Sequence, residues 1–228
     1  LIPARGGSKR LPRKNIVEFF GKPIIAHTIE AARSARIFQR LIVSTEDDEI
    51  ADVAKRFGAE VDRRPPLLAT DNAPITEVCM ELLDRLDQAG ERFQTLTVLY
   101  ATAPLRSADD IKATLSLVES GRCDFAIAAT EFIQPFHQAL RIGDDDVAEP
   151  VFHDLVSTRK DRVPEFVAGN GSTYCAAVGA FRRARTFYGS PLGVHRMPWS
   201  RSIDIDTAED LALARFCYER LLRTQETK

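Results

Sequence analysis

No apolar run in this chain approaches the roughly 20 residues that a helix needs to cross a bilayer, and no secretory leader is visible. A membrane span is therefore not expected. Charge of one sign is equally scarce: 31 Lys and Arg stand against 33 Asp and Glu, a formal net charge of −2. That balance gives no broad field to draw in nucleic acid, so phosphate recognition has to be local. Cysteine is confined to Cys79, Cys123, Cys175 and Cys217, widely spaced and without a C-x-x-C pair. A disulfide framework is excluded, and free buried thiols in a reducing cytoplasm are the expectation. The four histidines (His27, His137, His153, His195) lack metal-ligand spacing, so zinc is not expected. Two common phosphate loops are missing too. There is no G-x-x-x-x-G-K-[ST], which excludes an ATPase P-loop, and no G-x-G-x-x-G, which disfavours a dinucleotide fold.

What the chain does have is concentrated between Leu1 and Asn15. A short apolar strand runs into Gly6-Gly7, flanked by Arg5, Lys9, Arg10, Arg13 and Lys14. The glycines are expected to adopt backbone angles closed to other residues, turning N–H groups towards one point. Converging N–H dipoles beside cations describe a phosphate cradle. No aromatic stacking platform accompanies the cations, so a nucleic-acid site is not expected. The chain opens at Leu1, part-way through this strand, as expected of a sequence lacking a few leading residues.

Beyond the loop, strands and helices alternate. Pro23 opens a helical pattern with Ile25, Ile29, Ala32 and Ile37 on one face. Residues 41–45 read as a buried strand, with Thr45 capping a helix that ends at Gly58. A brief strand at 59–61, a helix over 74–89, a strand over 95–100, a helix over 107–120 and a strand over 124–129 follow. Such alternation implies a mostly parallel sheet with helices on both faces. The pattern breaks near Glu131: residues 131–168, with a hairpin turn at 141–146, read as an insertion. A strand at 173–178 and a helix over 208–224 close the chain. At 44% hydrophobic, 228 residues suffice for one core with a small appendage.

Four further segments carry candidate chemistry. In extended Ser202-Ile-Asp-Ile-Asp206, residues two apart share a face, so Asp204 and Asp206 present both carboxylates together. Two oxygen donors with open positions suit Mg²⁺, which takes its remaining ligands from water and substrate phosphates. Arg64 precedes Pro65 and sits in extended backbone, fit for a rigid guanidinium fork. The segment Tyr100-Ala-Thr-Ala-Pro-Leu-Arg106 leaves the carboxyl end of a strand, where open α/β sheets bind ligands. Gly169-Asn-Gly-Ser-Thr-Tyr174 is a second glycine-flanked turn.

These segments together resemble the acylneuraminate cytidylyltransferases, above all in Ala4-Arg-Gly-Gly-Ser-Lys9, Leu11-Pro-Arg-Lys-Asn15 and the Asp204/Asp206 motif. The resemblance spans essentially the whole chain. It implies a Rossmann-like α/β nucleotidyltransferase domain over 1–130 and 169–228, with 131–168 as an inserted dimerisation segment reaching the partner's site. It implies CTP as the nucleotide, Mg²⁺ as the cofactor, a nine-carbon keto-deoxy acid sugar as acceptor, a homodimer and a cytoplasmic location. Residue by residue, it assigns the nucleotide to Ala4, Arg5, Gly6, Gly7, Ser8, Lys14, Asn15, Arg64 and Ala73, and the metal to Asp204 and Asp206. Catalytic roles fall on Arg5, Lys14, Arg159 and Asp206, and sugar contacts on Tyr100, Thr102 and Asn170. Where the sialic acid enzymes read Gln-Pro-Thr-Ser-Pro this chain has Tyr100-Ala-Thr-Ala-Pro, which leans towards relatives acting on pseudaminic acid. An arginine usual before the Asn-Gly turn is Ala168 here, while the turn itself and Ser202-Ile-Asp-Ile-Asp206 look like the sialic acid branch. An enzyme for pseudaminic, legionaminic or eight-carbon keto-deoxy acids, and a non-catalytic nucleotide-sugar-binding module, stay open as alternatives.

Overall fold

A computed structural model describes residues 1–226. Three parallel strands, β1 (Ile2–Pro3), β4 (Ile42–Thr45) and β5 (Glu60–Arg63), pair in the order β1-β4-β5. Four more, β6 (Thr95–Leu99), β7 (Phe125–Glu131), β10 (Val167–Ala177) and β11 (Leu192–Arg196), pair in the order β11-β7-β10-β6. The Leu1 amino group donates to the Thr97 carbonyl at 2.7 Å, and the Leu99 N–H donates to the Leu1 carbonyl at 2.9 Å. That slanted pattern is parallel pairing, and it joins both sets into one twisted surface. β10 runs antiparallel to β6 and β7, while β11 is parallel to β7. The expected mostly parallel α/β architecture is what forms.

The helices cover both faces, as the alternation of side chains along β6 shows. Leu96 and Val98 pack with Cys79 and Leu83 of α3 (Ile75–Gln88) and Phe181 of α5 (Val178–Ala184). Leu99 points the other way, into a cluster with Ile25 and Ile29 of α1 (Ile24–Ala35) and Ile50 of α2 (Asp48–Arg56). A satellite core lies beneath α6 (Ala208–Glu226), where Leu211 and Ala214 meet Ile203, Ile205 and Phe19. Phe19 belongs to a tight hairpin, β2 (Glu18–Phe19) with β3 (Lys22–Pro23), turned at Gly21 with φ +75°.

Local signals set most boundaries. Gly58, Gly90 and Gly121 have positive φ and stop α2, α3 and α4 (Ala108–Glu119). Ser107 and Asp110 close a reciprocal capping box at the start of α4. Some expectations shift. Asp47, not Thr45, caps α2, its carboxylate accepting from the Ile50 N–H at 3.0 Å while Thr45 Oγ1 accepts from the Asp47 N–H. Ile37 lies beyond α1, which ends at left-handed Arg36, and is partly exposed. β10 begins at Val167 rather than 173, and Val178 already opens α5. All four cysteines are free; Cys123 is half-buried and the others are buried.

Between β7, which ends at Glu131, and β10, which begins at Val167, the chain makes an excursion. It carries a short hairpin, β8 (Leu140–Ile142) with β9 (Ala148–Pro150), and an aromatic cluster around Phe136. Ile133, Ile142 and Val147 of this segment are about 70% exposed. Among the described residues no helix is long and apolar enough to cross a membrane.

Candidate active site

The chain runs from β1 outward through β4 and β5, then returns to β6 on the other side of β1. Strand order therefore reverses between β1 and β6, and the loops leaving their carboxyl ends diverge there. A cavity of about 540 Å³ occupies that crevice. Arg5, Ser8, Lys14 and Asn15 reach it from the loop after β1, Arg64 from the end of β5, and Tyr100 and Thr102 from the loop after β6. Ala73 closes one side, and Asp204 with Asp206 the other.

The loop after β1 is held open by carboxylates. Lys14 Nζ donates to Asp206 Oδ1 at 2.6 Å, and Arg10 pairs with Asp206 Oδ2 at 2.7 Å. Arg5 and Lys9 both pair with Asp71 across the cavity mouth. Arg13 stands in a left-handed conformation and binds Asp47 and Glu49, away from the cavity. Asn15 Nδ2 donates to the Arg5 carbonyl at 2.8 Å and fixes the loop's curvature.

The glycines act differently from the sequence expectation. Neither Gly6 nor Gly7 has positive φ. Gly6 is needed for room, because a Cβ there would collide with the Asp47 carboxylate, while a Cβ on Gly7 would meet nothing within 4 Å. Two of the three expected phosphate donors are engaged within the protein. The Gly6 N–H donates to Glu46 Oε1 at 2.7 Å and the Ser8 N–H to the Gly6 carbonyl at 3.0 Å. Ala4 lies in the core, its N–H paired with the Ser44 carbonyl.

Arg64 is buried at 7% exposure, its Nη2 donating to the Ser44 carbonyl at 2.7 Å and Nε to Ser44 Oγ at 3.3 Å. Among the described residues no carboxylate pairs with it directly, and burial lowers its pKa. The Glu46 and Asp62 carboxylates act on it only through their charge, and a desolvated guanidinium at a cavity wall is a strong site for a carbonyl or anionic oxygen.

At the opposite wall, the Ile205 N–H donates to the Thr102 carbonyl at 2.8 Å, tying the 202–207 segment to the loop after β6. Asp204 and Asp206 then diverge in character. Burial raises the Asp204 carboxyl above its ordinary value, against a hydrogen bond from Thr102. Asp206 is held below its ordinary value: burial opposes this, but Lys14 and Arg10 outweigh it. Behind Asp204 the β10 strand bulges, and Gly171 at φ +69° leaves the space that a Cβ, 2.6 Å from Asp204 Oδ2, would fill. Among the described residues no three His, Cys, Asp or Glu converge as a metal cage. A two-carboxylate donor set still fits Mg²⁺, provided phosphate and water oxygens complete the shell.

Five of the expected site residues do not line the cavity: Ala4, Gly6 and Gly7 in the loop after β1, and Asn170 and Arg159 farther away in the chain. Asn170 is buried in the bulge, its Oδ1 accepting from the Ser172 N–H and hydroxyl and its Nδ2 donating to Ser202 Oγ at 3.0 Å. It positions the bulge behind Asp204. Arg159 lies in the excursion, paired with Asp161 at 3.2 Å, and does not line this chain's cavity. Two supports were not singled out as site residues. Arg106 is fully buried, donating to the Ser172 carbonyl at 2.5 Å and Thr28 Oγ1 at 2.8 Å, and burial lowers it to about 10. Arg10, visible only as one cation among five, touches Asp206 directly.

A family profile described as cytidylyltransferase matches residues 1–137. A pseudaminic acid cytidylyltransferase of Campylobacter jejuni is 32% identical over 96% of this chain and 95% of its own length. A CMP-N,N'-diacetyllegionaminic acid synthase of Legionella pneumophila is 32% identical, covering 93% of this chain and 92% of its own. An N-acylneuraminate cytidylyltransferase of Streptococcus agalactiae is 28% identical over all of this chain but 55% of its own length. Among solved structures, a CMP:2-keto-3-deoxy-manno-octonic acid synthetase complexed with CTP superimposes with a TM-score of 0.67 at 17% identity, covering 99% of this chain and 97% of that one. With a profile match over more than half its length and relatives at 32% identity over nearly all of it, the chain belongs to the cytidylyltransferase family and is a CTP-dependent nucleotidyltransferase of the acylneuraminate type.

Proposed function

We propose that the protein transfers CMP from CTP to the anomeric hydroxyl of a nine-carbon keto-deoxy acid sugar, releasing pyrophosphate. The observation that carries this reading is the cavity itself, lined by Arg5 and Lys14, by the buried Arg64, and by Asp204 with Asp206. In this reading Arg64 and Asn15 hold the cytidine, with Ala73 lining its pocket. Arg5 and Lys14 leave their carboxylate partners for the triphosphate. The sugar enters beside Tyr100 and Thr102. Its anomeric oxygen forms a bond to the α-phosphorus, the bond from that phosphorus to the bridging oxygen breaks, and pyrophosphate leaves with the electron pair. In this reading the anomeric proton would go to a carboxylate of the 204–206 pair, and burial makes Asp204 the more basic of the two. Because phosphoryl transfer depends on positioning and charge stabilisation, Arg5 and Lys14 carry much of the rate. Mg²⁺ held by Asp204 and Asp206 would supply further neutralisation of the phosphate charge.

Within this sugar class, Tyr100 and the 32% identity to the pseudaminic and legionaminic acid enzymes favour bacterial nine-carbon acids over N-acetylneuraminic acid. Burial pushes the Tyr100 hydroxyl up to about 12, so it stays a hydrogen-bond donor at any working pH. The exposed apolar residues of the 131–168 segment support a homodimer in which that segment covers the partner and brings Arg159 to the partner's cavity. Pyrophosphate release with CTP, measured against pseudaminic, legionaminic, N-acetylneuraminic and eight-carbon keto-deoxy acids, tests the reading. The fastest turnover is expected with pseudaminic or legionaminic acid. Preference for the eight-carbon acid would overturn the sugar assignment.

A further inference from the structure

Both carboxylate oxygens of Asp206 are taken. Oδ1 accepts from the Lys14 ammonium at 2.6 Å and Oδ2 pairs with the Arg10 guanidinium at 2.7 Å. Lys14 is well enclosed, with its side chain 18% exposed, so solvent does little to screen this charge from anything approaching Asp206. A divalent cation arriving here meets one carboxylate already matched by two positive groups. Asp204 alone, with Thr102 hydrogen-bonded to it, is a single donor group. The same arrangement recurs across the mouth, where Arg5 and Lys9 share Asp71. Carboxylates therefore occupy the cations that a polyphosphate would claim.

We infer that Asp206 is a latent metal ligand, masked by Lys14 and Arg10 in the nucleotide-free protein and released only when a polyphosphate draws those cations away. The inference rests on the proposed function for what displaces the cations, but the masking itself is a property of this chain. A triphosphate offers Lys14 and Arg10 a denser anion than one carboxylate does. Once they turn to it, the Asp206 carboxylate is left without its two cationic partners and faces the same phosphates, so that metal and nucleotide bind with positive coupling. Metal loading without nucleotide is thereby suppressed. Lys14 then has two duties: it binds phosphate, and it keeps the metal site closed until phosphate is present.

The test uses Mn²⁺ alone, titrated into the protein without nucleotide and followed by the loss of the free-ion electron paramagnetic resonance signal. Lys14→Met is expected to bind Mn²⁺ at least about tenfold more tightly than the wild type, because one masking charge is gone. Adding Asp206→Asn to that variant is expected to abolish the gain. Wild-type protein that binds Mn²⁺ as tightly as Lys14→Met would overturn the inference, as would a gain that survives Asp206→Asn. Arg10→Ala provides a second variant, at an exposed side chain, and a smaller gain of about threefold is expected. No gain in folded Arg10→Ala would count against masking. The titrations contain no nucleotide, so they stand apart from the proposed reaction. Failure of CTP to bind the wild type, read by calorimetry, would instead sink the proposed function.

Discussion

At the scale of single residues, the two carboxylates of the 204–206 pair make opposite demands on stability. Asp206 sits below its ordinary pKa because Lys14 and Arg10 overcome its burial, whereas burial drives Asp204 above its own. A raised carboxyl pKa carries no penalty below the ordinary value, and a growing one as pH rises to the shifted value. Asp204→Asn should therefore raise the melting temperature at pH 7, at about 2–4 °C per kcal/mol recovered, and lose that advantage below about pH 4. Turnover should fall with it, as expected where stability has been traded for a site. Unchanged melting at pH 7 would show that the buried charge costs nothing. Lys14→Ala removes the proposed phosphate contact and leaves Asp206 with Arg10 alone. A loss of about 10²–10³ in turnover is expected, with a cooperative melt retained. Near-normal activity in the folded variant would exclude Lys14 from the reaction.

Secondary-structure elements show how far the sequence was legible. The β1 loop, Arg64, the loop after β6 and the Asp204/Asp206 pair could all be found because each depends on residues adjacent in the chain. The parallel sheet then brings strand ends together by topology alone. What stayed hidden depends on residues far apart in sequence. The bulge in β10 is held by Asn170, Ser172, Ser202 and the buried Arg106, and no local pattern announces that Gly171 makes room for Asp204. Strand β11 was missed because Leu192-Gly-Val-His-Arg196 lacks a continuous apolar run. The Gly6 N–H likewise bonds to Glu46, forty residues away, an engagement with no local signal.

Helix α4 illustrates such a long-range support and yields a pH prediction. Asp110 caps its first turn while accepting from His195 Nε2 at 3.1 Å and from Arg201 at 2.5 Å. Burial would raise this carboxyl, but hydrogen bonds from Ser107 and His195 and the charge of Arg201 hold it below its ordinary value. A depressed carboxyl stabilises the fold above its unfolded pKa and loses that contribution as pH falls through the folded value. Asp110→Ala should thus cost about 3–5 kcal/mol at pH 7, read by urea unfolding, and progressively less as pH falls below the ordinary carboxylate value. A cost that does not change with pH down to acid unfolding would mean that packing, not charge, explains the effect. Because Arg201 precedes the 202–206 segment, the same variant should loosen the cavity wall.

For the whole molecule, the central sheet accounts for nucleotide chemistry, and the 131–168 excursion remains without a partner in a single chain. Its outward Ile133, Ile142 and Val147 are too apolar to suit open solvent together. Sedimentation is expected to show a dimer in wild-type protein and a monomer in Ile142→Glu, with turnover reduced because Arg159 is then withheld from the neighbouring cavity. A monomeric wild type with full activity would contradict this arrangement.

The central claim is the transfer of CMP to a nine-carbon acid sugar in the β1/β6 crevice. Its most direct measurement is phosphorus NMR of wild-type protein with CTP, Mg²⁺ and pseudaminic acid, repeated with legionaminic acid. The account predicts a new phosphodiester resonance growing in step with pyrophosphate for at least one of the two. Bound CTP with neither resonance appearing for any nine-carbon acid would contradict it.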